Sequence, residues 1–156
     1  MMEAPTVTAV VLAYGPEPLI GDCVEALLAS RDVSCDVVLV DNGGTDGRIE
    51  HFRTRERVTV VGHGTNLGFA GGCNLGARLA TGDYLALVNG DAVIDPDCLS
   101  RLVAVVRRPE VGLAGASIRL YDQPDLLNSG GNTFHFRGFS WCGHINEPAA
   151  DFPAEM

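Results

Sequence analysis

Short apolar runs alternate along the chain with stretches whose apolar side chains recur every three or four positions. Val7-Thr8-Ala9-Val10-Val11-Leu12, Val37-Val38-Leu39-Val40, Val58-Thr59-Val60-Val61 and Tyr84-Leu85-Ala86-Leu87-Val88 are nearly unbroken β-forming runs, as strands of a parallel sheet are. Between the first two, Leu19, Ile20, Cys23, Val24, Leu27 and Leu28 fall at helical spacing, and 70–80 reads as a helix despite its glycines. After the fourth run, Asp95 is expected to cap a helix with Pro96 at its first position and Leu99, Leu102, Val103 and Val106 as its apolar stripe. The stretch 111–118 reads as a fifth strand. Strand alternating with helix predicts an α/β fold, a mostly parallel sheet flanked by helices on both faces. That domain is expected over 1–120, with 121–156 the start of a further, unfinished region. In 134–141, Phe134, Phe136, Phe139 and Trp141 alternate with His135 and Arg137, which reads as a half-buried strand.

Charge narrows the chemistry. Twenty acids against eleven bases give a net charge of −9, so no basic field exists for nucleic acid or anionic lipid. All the bases are arginine, and without lysine a Walker A loop or a pyridoxal-phosphate Schiff base is excluded. The five cysteines are scattered, with no C-x-x-C pair, as in reduced proteins of the cytoplasm. No apolar run approaches the ~18 residues of a membrane span. A cytoplasmic chain, reaching at most the inner face of the membrane, is the expectation.

In an α/β sheet, ligands bind beyond the carboxyl ends of the strands. Those ends carry Tyr14, the turn Asp41-Asn42-Gly43-Gly44-Thr45-Asp46-Gly47, the glycine-rich 62–72 and Asn89-Gly90-Asp91. A dinucleotide fingerprint is missing after the first strand, where Ala13-Tyr14-Gly15-Pro16 stands. A phosphatase reading of Asp41-Asn42-Gly43-Gly44-Thr45 fails because Gly43 replaces the second acid and no lysine exists to hold phosphate. What fits is a nucleotide site. Asp41 can accept from a base N–H, the flexible 66–72 turn lets backbone approach a nucleotide, and Asp91 offers a hard oxygen to a divalent cation on a diphosphate.

In order and spacing these residues resemble the family 2 glycosyltransferases, whose catalytic domain is a nucleotide-sugar-binding (GT-A) fold. The resemblance rests on a first strand ending near Tyr14, on Val40-Asp41-Asn42-Gly43-Gly44-Thr45-Asp46-Gly47, on Asn66-Leu67-Gly68-Phe69-Ala70-Gly71-Gly72-Cys73-Asn74-Leu75-Gly76 and on Leu87-Val88-Asn89-Gly90-Asp91. The asparagine in the last motif is most like the rhamnosyltransferase-type subgroup. The resemblance implies transfer of a sugar, with inversion, from a UDP- or dTDP-sugar to a hydroxyl on a glycan or lipid-linked acceptor in cell-surface glycan assembly. Nucleotide contacts would come from Tyr14, Asp41, Asn66, Gly68, Phe69, Gly71, Gly72, Asn74 and Asn89. Asp91 matches the last acid of the family's D-x-D motif and would hold Mg²⁺ or Mn²⁺. Asn89 departs from that motif by replacing its first acid. No residue is assigned as the catalytic base, which the family places in a later segment. The chain by itself is therefore expected to bind donor without efficient transfer, and, with Phe139 and Trp141 uncovered, to self-associate. The alternative is a non-catalytic nucleotide-sugar-binding module, or an inactive fragment of a longer transferase.

Overall fold

The computed structural model describes residues 3–62, 64–134, 136–137 and 139–152. The chain folds as two compact units, Met1–Arg108 and Pro109–Met156.

In the first unit, β1 (Thr6–Gly15) is the central strand, buried at every residue from Val7 to Ala13. Such a run has no solvent face to offer, so it needs strands on both edges and helices on both faces. β2 (Ser34–Gly44) pairs along one edge and β4 (Tyr84–Asn89) along the other, with β3 (Val58–Gly62) beyond β2. All pairings are parallel, in the order β3-β2-β1-β4.

Alternation along β1 and β2 sorts the core into two layers. Ala9, Val11, Val37 and Leu39 face α1 (Ile20–Leu28) and α3 (Cys98–Val106), packing with Ile20, Val24, Leu27, Leu99 and Val103. Val10, Leu12, Val38 and Val40 face α2 (Gly68–Ala77) on the other side and enclose Cys73. Full burial of each large side chain is worth about 1.5–3 kcal/mol, so the two layers outweigh the cost of so many glycines in α2. Those glycines permit close approach instead: a Cβ on Gly72 would lie 2.7 Å from Leu12 Cδ2, and one on Gly76 would overlap Val10. At the end of β3, Gly62 adopts φ +106° against the Asp41 backbone, where a Cβ would sit 3.2 Å from Asp41 N.

The structure corrects several sequence expectations. α3 begins at Cys98, not Pro96, because Asp95 uses its side chain to accept the Asp97 N–H at 3.0 Å and its carbonyl to accept the Cys98 N–H at 2.9 Å. The glycines from Gly68 to Gly72 lie inside α2 and do not form a flexible turn. The stretch 111–118 is no fifth parallel strand. Only β5 (Ile118–Arg119) forms there, antiparallel to β6 (Leu127–Ser129). Gly112 and Gly115 contribute no side chain, and Leu113 and Ile118 stand exposed, so this stretch does not bury an apolar face as a core strand would.

In the second unit, the aromatic stretch forms a ladder of β7 (Asn132–Phe134) with β8 (Ser140–Cys142). Phe136, Phe139 and Trp141 are exposed and not half-buried. His135 and Gly138 lie outside the described residues. Among the described residues no helix is long and apolar enough to cross a membrane.

Candidate functional site

In the order β3-β2-β1-β4 the chain winds outward through β2 and β3, then returns to the opposite side of β1. The connection from β1 runs to α1 on one face, whereas that from β3 runs through α2 on the other, and this reversal of winding leaves a crevice beyond the carboxyl ends of β1 and β4. An open cleft of about 370 Å³ occupies that place. Leu12 and Tyr14 enter from the end of β1, Glu17 from the loop after it, and Asn42 from β2. Asn66, Gly68 and Phe69 come from the start of α2, and Asn89, Gly90 and Asp91 from the end of β4.

Six residues singled out from sequence, Tyr14, Asn66, Gly68, Phe69, Asn89 and Asp91, thus meet in one cleft. Asp41, Gly71, Gly72 and Asn74 are not among its lining residues. Gly71 and Gly72 pack, the first against Leu67 and the second against Leu12 and Asn42, and Asn74 is exposed on α2. Asp41 is half-buried beside the cleft, in a loop that its own carboxylate shapes. Its Oδ1 accepts the backbone N–H groups of Gly43 at 3.3 Å and Gly44 at 3.2 Å. β2 carries one extra residue here, since Ala13 pairs with Asp41 but Gly15 pairs with Gly44. Such a bulge turns side chains at a strand end. Tyr14 beside it stands 58% exposed.

Asn42 is the hub of the site. It is buried, and its Oδ1 accepts the Leu67 N–H at 2.8 Å. Its Nδ2 donates to Gly68 O at 3.4 Å and Asn66 Oδ1 at 3.5 Å, while Asn66 Oδ1 also takes the Gly68 N–H at 2.7 Å. The amide ties β2 to the entry of α2, which has no side-chain cap at Leu67. Its part is larger than shaping the turn after β2.

Glu17 is the residue that sequence reasoning passed over. It lies between Pro16 and Pro18, and its N–H donates to Asp46 Oδ2 at 3.1 Å. Asp46 is itself held by Arg48 at 2.9 Å. Burial pushes the Glu17 carboxyl above its usual pKa, the Tyr14 backbone N–H partly offsets this, and Asp91 and Asp46 push it further up. Its position past the end of β1 was the available signal. Beneath the cleft, Cys23 Sγ meets Asn89 O at 3.5 Å. Burial, with Asp91 and Glu17 nearby, raises that thiol to about 12, so it stays protonated and unreactive.

The charged side chains lining the cleft, Glu17 and Asp91, are both negative. With the Asn89 amide they form a set of hard oxygen donors. Among the described residues no three His, Cys, Asp or Glu side chains gather as a self-contained metal cage. One or two carboxylates completed by phosphate oxygens and water is the usual arrangement for Mg²⁺ or Mn²⁺ on a diphosphate, so the residues present fit such an ion. A second cleft of about 300 Å³, lined by Glu25, Leu28, Ala29, Arg55, Glu56 and Arg57, lies at the amino edge of the sheet. Arg55 pairs there with Glu25, and Arg57 with Asp36 and the carbonyls of Leu28 and Cys35. Its charges serve the scaffold.

Comparison with known proteins bears on the family and the fold. The chain is 29% identical over 132 residues to the uncharacterized glycosyltransferase EpsJ of Bacillus subtilis, covering 78% of this chain and 38% of that protein. It is 29% identical over 136 residues to the succinoglycan biosynthesis protein ExoO of Rhizobium meliloti, covering 80% and 39%. The chain thus spans well under half the length of these relatives. Among solved structures it superposes on a Pyrobaculum calidifontis mannosyltransferase in complex with GDP-Man and Mn²⁺, with TM-score 0.67, 28% identity and coverage of 75% of this chain and 36% of that one. Staphylococcus aureus TarS bound to UDP-GlcNAc shares the fold at TM-score 0.55 and 19% identity, over 74% and 38%. The sequence profile described as glycosyl transferase family 2 matches residues 8–149, and the chain belongs to that family.

Proposed function

We propose that the strand-end cleft binds a UDP- or dTDP-sugar with Mg²⁺ or Mn²⁺, as the donor site of a transferase that moves the sugar to a hydroxyl acceptor. The observation that carries this reading is the sign of the cleft. A nucleoside diphosphate is an anion, and Glu17 and Asp91 would repel it. A divalent cation turns that repulsion into attraction. Asp91, with the Asn89 amide beside it, would hold it. When bound, the ion would stabilise the charge on the departing diphosphate.

Asp41 supports the choice of nucleotide. Its Oδ1 already accepts from Gly43 and Gly44, leaving Oδ2 as the oxygen open to a base. One open acceptor suits the single N3–H of uracil or thymine. Guanine presents adjacent N1–H and N2–H donors that ask for both carboxylate oxygens. Tyr14 and Phe69, 58% and 62% exposed, flank the cleft as apolar faces for base or ribose. Asn42 holds the α2 entry so that its backbone can approach the nucleotide.

Transfer is read as in-line displacement with inversion at the anomeric carbon. The acceptor oxygen forms the new bond as the diphosphate oxygen leaves, and the acceptor's proton passes to a base not assigned among these residues. The names of EpsJ and ExoO support a place in polysaccharide assembly, and Asn89 supports the rhamnosyltransferase-like subgroup. Work in the cytoplasm follows from the expected source of nucleotide sugars. Calorimetric titration with UDP, dTDP, GDP and ADP in MnCl₂ tests the proposal. Tighter binding of both pyrimidine nucleotides is expected; a purine preference would refute the role given to Asp41.

A further inference from the structure

We propose that Glu17 is the second carboxylate facing the donor's divalent cation, taking the place of the acid that Asn89 withholds. This rests on the reading of the cleft as a diphosphate and cation site, and it names a residue outside the motifs quoted for that site.

The geometry sets Glu17 against the turn that carries Asp91. A Cβ built on Gly90 would lie 3.5 Å from Glu17 Cδ, so the carboxylate reaches the middle of Asn89-Gly90-Asp91 from the β1 side. That turn packs tightly. The same Cβ would come within 2.9 Å of both Leu12 O and Ile20 Cδ1, so the backbone lies close against β1 and α1.

The Glu17 backbone is equally well held. Its N–H donates to Asp46 at 3.1 Å, its carbonyl accepts the Ile20 N–H at 3.2 Å, and prolines on both sides restrict the chain. The loop thus presents an acid to a place where its charged neighbours, Asp91 and Asp46, are also acids. For a loop former with no further role, glutamine would fill this position without the repulsion. A carboxylate is favoured there when a cation sits between it and Asp91. Losing the first acid of the motif then need not cost the site its second charge, because the charge is supplied from β1 and not from β4.

The test uses the purified chain, UDP as the probe, and calorimetry in MnCl₂ and in EDTA. It compares the wild type, Glu17→Gln, Asp91→Asn and the double variant Glu17→Gln/Asn89→Asp. Wild type is expected to bind UDP at least tenfold tighter with Mn²⁺ than in EDTA. Glu17→Gln should lose most of that enhancement while binding UDP in EDTA as well as wild type or better, since a repelling charge is gone. Restoring an acid at position 89 in the Glu17→Gln background should recover the enhancement. If Glu17→Gln keeps the full Mn²⁺ effect while Asp91→Asn abolishes it, Glu17 is not a ligand and the cleft reading stands. If Glu17→Gln weakens UDP equally in both buffers, its role is structural and the proposal fails. If wild type shows no Mn²⁺ effect, the cleft reading fails and the proposal with it.

Discussion

Replacing Asn42 with alanine removes the hub that joins β2 to the entry of α2, and the structure allows its cost to be worked out. The Leu67 N–H loses its 2.8 Å acceptor, the one contact of the three with strong geometry. The donations to Gly68 O at 3.4 Å and Asn66 Oδ1 at 3.5 Å are near the limit of hydrogen-bonding distance and add little. A lost hydrogen bond costs about 0.5–1.5 kcal/mol, and an N–H left dry about 1–3 kcal/mol. Leu67 is 51% exposed, so water can reach part of the vacated site and the total falls near 2 kcal/mol. With a urea slope of about 1–3 kcal/mol/M, the unfolding midpoint should drop by roughly 1 M. Because Asn66, Gly68 and Phe69 line the cleft, UDP affinity should fall at least about tenfold, equivalent to 1.4 kcal/mol. The Leu67 amide should also lose protection from hydrogen exchange. Asn42→Asp keeps the Leu67 bond but turns a carboxylate oxygen toward the Gly68 carbonyl, so it should fall between alanine and wild type. Urea unfolding, calorimetry and exchange measured on the same samples check all three effects. A midpoint unmoved by Asn42→Ala, with Leu67 still protected, would refute the hub.

Two further substitutions probe the scaffold. Gly76→Ala gains about 1 kcal/mol in helix propensity, but its methyl would overlap Val10 Cγ1 and lie 3.1 Å from Val40 Cγ2. Overpacking of about 1–3 kcal/mol should dominate, and Val10→Ala should rescue the variant; a stabilised Gly76→Ala would show that α2 does not rest on β1. The Arg55 hydrogen bonds hold the Glu25 carboxyl below its usual pKa of 4.5, aided by the Arg55 and His51 charges and opposed by desolvation. A lowered pKa means the pair contributes above the unfolded value and fades as pH falls through the folded one. Both side chains are about half exposed, so Glu25→Gln should cost less than about 1 kcal/mol at pH 7, and the cost should shrink as pH falls below 4.5, as read by urea unfolding across a descending pH series.

The sheet was legible because β1 to β4 each carry an apolar β-forming run, buried on both faces in β1 and in the middle of β2 and only partly covered in β3 and β4, and the same runs put Tyr14, Asn89 and Asp91 at one edge. Less visible was anything decided by contact between distant segments. Gly72 and Gly76 look like flexibility in one dimension but are close-packing positions against Leu12 and Val10. Asn42 looks like a turn former, and only the approach of Leu67, twenty-five positions on, makes it a hub. Glu17 is hidden by its prolines and becomes a site residue when Gly90 arrives beside it. The 111–118 stretch shows the opposite failure, since apolar composition suggests a strand where Leu113 meets only solvent.

The central claim is that a nucleoside diphosphate and its cation sit between the ends of β1 and β4. Amide spectra of the chain with saturating UDP, recorded as Mn²⁺ is added in substoichiometric steps against a Mg²⁺ control, test it most directly, since paramagnetic line broadening falls steeply with distance from the ion. The account predicts that the amides of Glu17, Gly90 and Asp91 vanish first and that Arg55, Glu56 and Arg57 at the amino edge persist longest. Uniform broadening, or loss that begins at the Glu25 and Arg55 cleft, would contradict it.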